Sequence, residues 1–255
     1  MHLGLTGTKV IVTAGAAGIG RAIIDGFLAE GAEIVTCDID ADALAALPVG
    51  VYGEKVDVAD EQAFGAFIER AIGRLGGLDC LVNNAGIAGP TGRVETLDIA
   101  DWRRTLDIVL TSQFLAVSKS VAALRESTNA SIANLSSVAG RLGFGLRTPY
   151  AAAKWGVVGL TKSLAIELGD YGVRVNAIMP GLVAGDRQRR VLEAKAQQKG
   201  VSFAEVEAQA FQYTSIKSYV PAQAIADQIL FLASERGRHI SGQSLSVCGD
   251  TRMLA

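Results

Sequence analysis

Tyr150 and Lys154 stand four residues apart, and Ser137 precedes the tyrosine by thirteen. On a helix, positions i and i+4 share one face, so a phenol hydroxyl and an ammonium group starting there reach a common ligand. An unperturbed phenol, with a pKa of about 10, ionises too weakly to act as a base near neutrality, and an adjacent cation favours its ionised form. Tyr150 could then exchange a proton with an alcohol or ketone oxygen while a bound cofactor exchanges the hydride.

A second cluster suits that cofactor. Thr13-Ala14-Gly15-Ala16-Ala17-Gly18-Ile19-Gly20 follows an apolar run and precedes a helical pattern. A helix N-terminus there offers unpaired N–H groups and partial positive charge to a phosphate. A tight strand-to-helix turn would explain the glycines alone, so Asp38 is what sharpens the reading. Placed at the end of the next strand, about 20 residues on, its carboxylate can bond both adenosine ribose hydroxyls and repel a 2′-phosphate. No Arg or Lys sits beside it or in the glycine turn, which favours NAD over NADP. A helix-capping carboxylate is the alternative for Asp38.

The elements that must position these residues follow an alternating rhythm. Short β-branched runs read as strands at Lys9–Thr13, Glu33–Cys37, 51–56, 78–82, Ser131–Leu135, 173–178 and 243–247. Longer segments of helical period separate them, at 21–30, 60–76, 101–125, around Tyr150 and Lys154, and 221–233, the pattern of crossover helices covering both faces of a parallel sheet. The segment 182–220 breaks the rhythm with two polar helical stretches, 186–198 and 202–213, and long connections of this kind are often lids.

Length and composition bound the rest. The 255 residues suit one α/β domain, and a formal net charge of −2 gives no footprint for nucleic acid or an anionic membrane surface. The sequence shows no basic leader followed by an apolar stretch and no uncharged run of membrane-spanning length, so a cytoplasmic protein with no membrane partner is expected. Cys37, Cys80 and Cys248 lie far apart in apolar runs, as buried thiols do, with neither disulfide nor metal-ligand spacing.

From end to end the chain resembles the short-chain dehydrogenase/reductase family. The resemblance rests on the glycine turn with Gly18-Ile19-Gly20, Asp38, Asp57-Val58, Asn83-Asn84-Ala85-Gly86, Ser136-Ser137, Tyr150 with Lys154, Asn176 and Pro180-Gly181. It implies a doubly wound, Rossmann-type parallel sheet of about seven strands and, commonly, a homotetramer or homodimer. It implies that Ser137 positions the substrate oxygen, Tyr150 transfers the proton, and Lys154 holds the nicotinamide ribose and eases Tyr150 ionisation. The cofactor would lie along Gly15, Gly18, Ile19, Gly20, Asp38, Asp57, Val58, Asn84, Ala85, Gly86, Tyr150, Lys154, Pro180, Gly181 and Val183. Among these, Asp57 and Val58 would meet adenine, Asn84 the ribose region, and the Val183 backbone the nicotinamide amide. Ser137 is preferred to Ser136 because its offset to Tyr150 matches the family and alternate strand residues face opposite sides.

The chain departs from the family pattern at three places. Ala14 replaces a glycine, so the turn's backbone is expected to differ slightly. Val109 replaces an Asn that anchors a water leading protons from the lysine to solvent, which implies a rerouted path or slower turnover. Gly185 replaces a Thr and removes one hydroxyl contact to the cofactor. Arg141, Leu142, Phe144 and Arg147 lie between Ser137 and Tyr150, and Arg187, Arg189 and Arg190 open the long insertion. If any of these arginines faces the pocket, it could hold a carboxylate, phosphate or sulfonate; otherwise they solvate the surface or bridge subunits. Ala152, Trp155, Gly156, Val158 and Gly159 suit a dimer interface or packing within one subunit.

The expected function is NAD-dependent oxidoreduction of a small polar secondary alcohol or ketone, anionic if an arginine faces it. Two rivals remain: an enzyme using bound NAD for epimerisation or dehydration, and a dinucleotide sensor without turnover. Net reduction of the cofactor separates the first, and retention of Ser137, Tyr150 and Lys154 argues against the second.

Overall fold

The computed structural model describes residues 3–254. Seven strands, β1 (Lys9–Thr13), β2 (Glu33–Asp38), β3 (Val51–Lys55), β4 (Cys80–Asn83), β5 (Ser131–Leu135), β6 (Arg174–Pro180) and β7 (Ser244–Val247), form one parallel sheet in the order β3-β2-β1-β4-β5-β6-β7. The central strands β4, β5 and β6 are buried along their whole length, because helices cover both faces. Register is set by apolar residues, with Val10, Ile11 and Val12 lying between Ile34, Val35 and Thr36 on one side and Cys80, Leu81 and Val82 on the other.

The described residues form nine α-helices: α1 (Gly18–Ala29), α2 (Ala41–Ala45), α3 (Glu61–Leu75), α4 (Ile99–Leu106), α5 (Ser112–Arg125), α6 (Thr148–Glu167), α7 (Asp186–Lys199), α8 (Phe203–Gln212) and α9 (Ala222–Ala233). One core joins Ile23, Ile24 and Phe27 of α1 to Ile225, Ile229 and Leu230 of α9; the other joins Phe64, Phe67 and Ile68 of α3 to Ala116, Val117 and Leu124 of α5. Strand order reverses between β1 and β4, and at such a switch point the loops leaving the carboxyl ends of the strands diverge and open a crevice.

Several boundaries differ from the sequence reading. The Asp60 side chain caps α3 by accepting from Ala63 N at 2.9 Å, and Gly76 ends it at φ 65°, so both flanking residues counted inside the helix are its caps. The short α2, unforeseen, is nucleated by Asp40, which accepts from Asp42 N and Ala43 N. The helix expected over 101–125 starts at Ile99 and is interrupted by a π-helical turn, Asp107–Thr111. This run from Ile99 to Arg125 is long and apolar enough to cross a bilayer by composition, yet Ile108, Ala116, Val117 and Leu124 commit its apolar face to the protein core. The three cysteines are free and buried, as expected.

The segment 182–220 is pinned at its ends: Val183 pairs with Val220, Val220 N donates to Leu182 O at 2.8 Å, and Ala184 N donates to Val220 O at 3.0 Å. Between those pins α7 and α8 pack through Leu192, Ala196 and Val206, and Ser202 and Glu205 form a capping box at α8.

Candidate active site

The glycine turn leaves β1 and becomes the first turn of α1. Helix geometry leaves the N–H groups of that turn without intrahelical partners, and Ala17 at the N-cap has no side chain to satisfy them. A Cβ at Gly15 would meet Thr36 Oγ1 at 2.3 Å, and one at Gly20 would meet Ala14 O at 2.2 Å; around Gly18, at φ 57°, the space is open. The departure at Ala14 is absorbed by strain: it keeps a left-handed φ of 52°, which costs an L-residue roughly 1–2 kcal/mol. Its carbonyl accepts from Asn84 Nδ2 at 2.8 Å, and Asn84 Nδ2 also reaches Thr13 O at 3.0 Å. Thr13, unremarked in the sequence, joins the two loops: its Oγ1 accepts from Asn84 N at 3.0 Å and Ala85 N at 2.9 Å.

Asp38 ends β2 and faces the same turn. Its Oδ2 accepts from Ala16 N at 3.1 Å and its Oδ1 from Asp40 N at 3.2 Å. The capping role weighed for Asp38 belongs instead to Asp40, because Asp38 still lies within the strand.

The cleft between these loops is about 360 Å³, walled by Gly18, Ile19, Gly20, Asn84, Ser137, Tyr150, Lys154, Pro180, Gly181 and Val183 among others. Residues from five separate stretches of chain thus meet in one space. Gly15 and Ala85 lie outside that wall, as does Val58, which is buried. Gly86, Asp38 and Asp57 also lie outside it; exposed Asp57 accepts from Ala59 N at 2.9 Å and lies 3.7 Å from Arg104.

At the other end, Pro149 in the first turn of α6 starts the helix that carries Tyr150 and Lys154. Lys154 Nζ lies 5.7 Å from the Tyr150 ring centre and donates to Leu135 O at 2.6 Å. Burial, with Arg187 adding repulsion, pushes the Lys154 pKa down to about 7. Ser137 follows β5 with its Oγ accepting from Ala139 N at 3.1 Å, whereas Ser136 Oγ donates to Lys154 O at 2.8 Å. Both serines line the cleft, so the two differ in that the Ser136 hydroxyl proton is already committed to a backbone carbonyl.

Val109 is buried in the π-helical turn, where its carbonyl accepts from Gln113 Nε2 at 3.0 Å. Gln113 Nε2 also lies 3.3 Å from Leu135 O, the acceptor of Lys154, and its Oε1 is buried without a partner among the described residues. Sequence reasoning passed over Gln113, although an amide one helical turn after Val109 was a readable signal.

The arginines separate cleanly. Arg141 was expected as a candidate for the pocket, but its Nη2 donates to Thr251 O at 2.9 Å and ties down the C-terminal stretch. Arg189 pairs with Glu193 on the surface at 2.9 Å. Arg187 and Arg190 line the cleft, and Arg187 Nη2 crosses it to Gly86 O at 2.6 Å. Arg147 is buried beside Tyr150.

Comparison with known proteins agrees with this geometry. The family model described as enoyl-(acyl carrier protein) reductase matches residues 14–249. Trans-4-hydroxycyclohexanecarboxylate dehydrogenase of Sinomonas cyclohexanicum is 36% identical over 255 residues, covering 94% of this chain and 92% of that protein. Levodione reductase of Leifsonia aquatica is 32% identical, covering 96% and 94%. Among solved structures, a levodione reductase superposes with a TM-score of 0.89 at 31% identity, over 96% of this chain and 97% of the other. An NAD+-bound xylitol dehydrogenase gives 0.91 at 25% identity, over 96% and 99%. A blue fluorescent protein in complex with NADPH gives 0.86 at 30%, over 98% and 99%. The chain belongs to the short-chain dehydrogenase/reductase family, as an oxidoreductase acting on alcohols.

Proposed function

We propose that this protein is an NAD-dependent dehydrogenase or reductase that interconverts a small polar secondary alcohol and its ketone. The observation that carries the reading is the convergence of Ser137, Tyr150 and Lys154 on the cleft that the glycine turn opens. The cleft fits a dinucleotide: the first turn of α1, with its uncapped N–H groups, lines it, and the space around Gly18 is open. Gly18, Ile19 and Gly20 would hold the pyrophosphate, Asp38 the adenosine ribose, Asn84 and Lys154 the nicotinamide ribose, and Pro180, Gly181 and Val183 the nicotinamide. Bound there, NAD would accept the hydride of an alcohol or, reduced, donate one to a ketone.

The chain's own groups handle the proton. The Ser137 hydroxyl hydrogen-bonds the substrate oxygen and orients it. The Tyr150 hydroxyl takes the alcohol proton during oxidation and returns it during reduction. Lys154, with Nζ 5.7 Å from the Tyr150 ring centre, supplies positive charge beside the phenol that carries the proton. Gln113, bonded to the Val109 carbonyl and reaching the carbonyl beneath Lys154, is the polar group best placed to stand in for the family's Asn. Between its pinned ends the segment 182–220 acts as the lid, with Arg187 its latch to Gly86.

The preference for NAD rests on Asp38, whose bonds to Ala16 and Asp40 hold a negative charge where a 2′-phosphate would sit. The test is NADH against NADPH formation with a panel of secondary alcohols: xylitol, cyclohexanol, 3-hydroxybutyrate and 4-hydroxycyclohexanecarboxylate. NAD should be preferred by at least about tenfold in kcat/KM, and Asp38→Ser should shrink that ratio at least about tenfold, consistent with loss of one charge-assisted contact. An unchanged ratio removes Asp38 from this role. Cofactor binding without turnover of any alcohol points to the sensor, and product without net NADH points to epimerisation or dehydration.

We also propose a cytoplasmic homotetramer or homodimer. Phe114 on α5 and Trp155 on α6 are both more than half exposed, while Gly159 leaves open space on the α6 surface. Gly156 serves packing within the chain, since a Cβ there would meet Leu110 Cδ2 at 2.6 Å. Sedimentation should give an oligomer that Trp155→Glu dissociates; a monomeric parent rules this out.

A further inference from the structure

Beyond Ser137 and Tyr150 the cleft continues into a recess of about 80 Å³ lined by Arg147, Phe144, Val191 and Leu254. Arg147 is 2% exposed, and both Nε and Nη1 are buried without a hydrogen-bond partner. Its Nη2 donates to Ala88 O, and its guanidinium carbon lies 5.2 Å from the Tyr150 ring centre and 5.4 Å from that of Phe144. A second buried cation, Lys195, holds its Nζ 4.0 Å from the same Phe144 ring. Burial lowers the proton affinity of both, and Arg147 adds to the effect on Lys195.

A guanidinium with two idle donors is costly to bury, since an uncompensated charge in a protein interior costs several kcal/mol. The preceding backbone is also strained, Leu146 having φ 63°. A buried guanidinium whose donors are not all used calls for an anionic oxygen ligand, and a carboxylate is the smallest organic one that the recess could take.

Resting on the dehydrogenase reading, we infer that the substrate is a hydroxycarboxylate or the matching oxocarboxylate, whose carboxylate occupies the recess and pairs with the Arg147 guanidinium while its carbinol oxygen lies at Ser137 and Tyr150. Arg147 thereby sets specificity, and Lys195 supplies further positive potential from across the Phe144 ring.

The test compares 3-hydroxybutyrate and 4-hydroxycyclohexanecarboxylate with their methyl esters. The parent should favour the better acid over its ester by at least about tenfold in kcat/KM, and Arg147→Met should raise the acid's KM about 10–100-fold while kcat and the esters change less than about threefold. Arg147→Lys should recover part of the loss. Equal losses for acid and ester, or a parent that prefers the esters, would overturn the inference. A binding measurement keeps it separate from the dehydrogenase reading: titrated into the NADH-loaded protein, where oxidation cannot proceed, the acid should bind the parent at least about tenfold more tightly than Arg147→Met. Binding of this kind without turnover sinks only the dehydrogenase reading; failure of both acids to bind sinks the inference.

Discussion

Replacing Tyr150 by Phe lowers kcat by roughly 10²–10⁴-fold, the range over which a positioned proton donor contributes, and leaves the affinity for NADH within about threefold. The hydroxyl is the only group removed. The ring keeps its edge-on contact with Phe144, at 6.5 Å between centres, and its place beside Arg147, so the fold and the recess persist. Stopped-flow measurement of hydride transfer with saturating cofactor and substrate is the check. A Phe variant as fast as the parent would transfer the proton role to another group. Ser137→Ala, which removes a substrate contact without removing the proton donor, is expected to be the milder change.

Much of the scaffold behind that experiment could be read from residue order alone, for identifiable reasons. β1 was legible to the residue because a β-branched run is bounded by Thr8 and a glycine turn. α3 was legible to within a residue at each end because Asp60 and Gly76 punctuate it. Helices α7 and α8 were located the same way, Gly200 and Ser202 marking the break between them. What escaped depends on neighbours distant in sequence. The π-helical turn around Val109 exists where the Gln113 amide takes up a carbonyl outside the regular ladder, and helical periodicity alone does not register one extra residue.

The site shows the same division. Ser137, Tyr150, Lys154 and the glycines were identifiable because their chemistry needs fixed spacing along one strand end, one helix face and one turn. The arginines have no such grammar. Arg141 and Arg147 both lie in an aperiodic loop, and only the fold sends one to the Thr251 carbonyl and the other into a buried recess. Burial is a property of the whole chain, so the feature that bears most on substrate choice was the least readable.

Lys154→Met should abolish measurable turnover and at the same time stabilise the ligand-free protein. Burial holds the Lys154 pKa at about 7, against about 10.4 for a solvated lysine in the unfolded chain. Between those values the unfolded state binds more protons than the folded state, so stability rises as pH increases from about 7 to 10 and falls as pH decreases through that window. At about 1.4 kcal/mol for each factor of ten in proton affinity the gap sets an upper bound of roughly 5 kcal/mol, and relaxation brings the expected gain at pH 7 to about 1–3 kcal/mol. Methionine fills nearly the same volume, and the Leu135 carbonyl keeps Gln113 Nε2 as a donor at 3.3 Å, so little is lost on the other side. Chemical denaturation at pH 7 and pH 10 reads the effect: the variant's advantage should shrink at the higher pH, with a residual slope left by Lys195, whose pKa burial also lowers to about 7. A variant less stable than the parent at pH 7 would mean that the Lys154 bond to Leu135 outweighs the cost of its charge. The amine would then be part of the fold's support rather than a strain the fold carries for the sake of the Tyr150 phenolate.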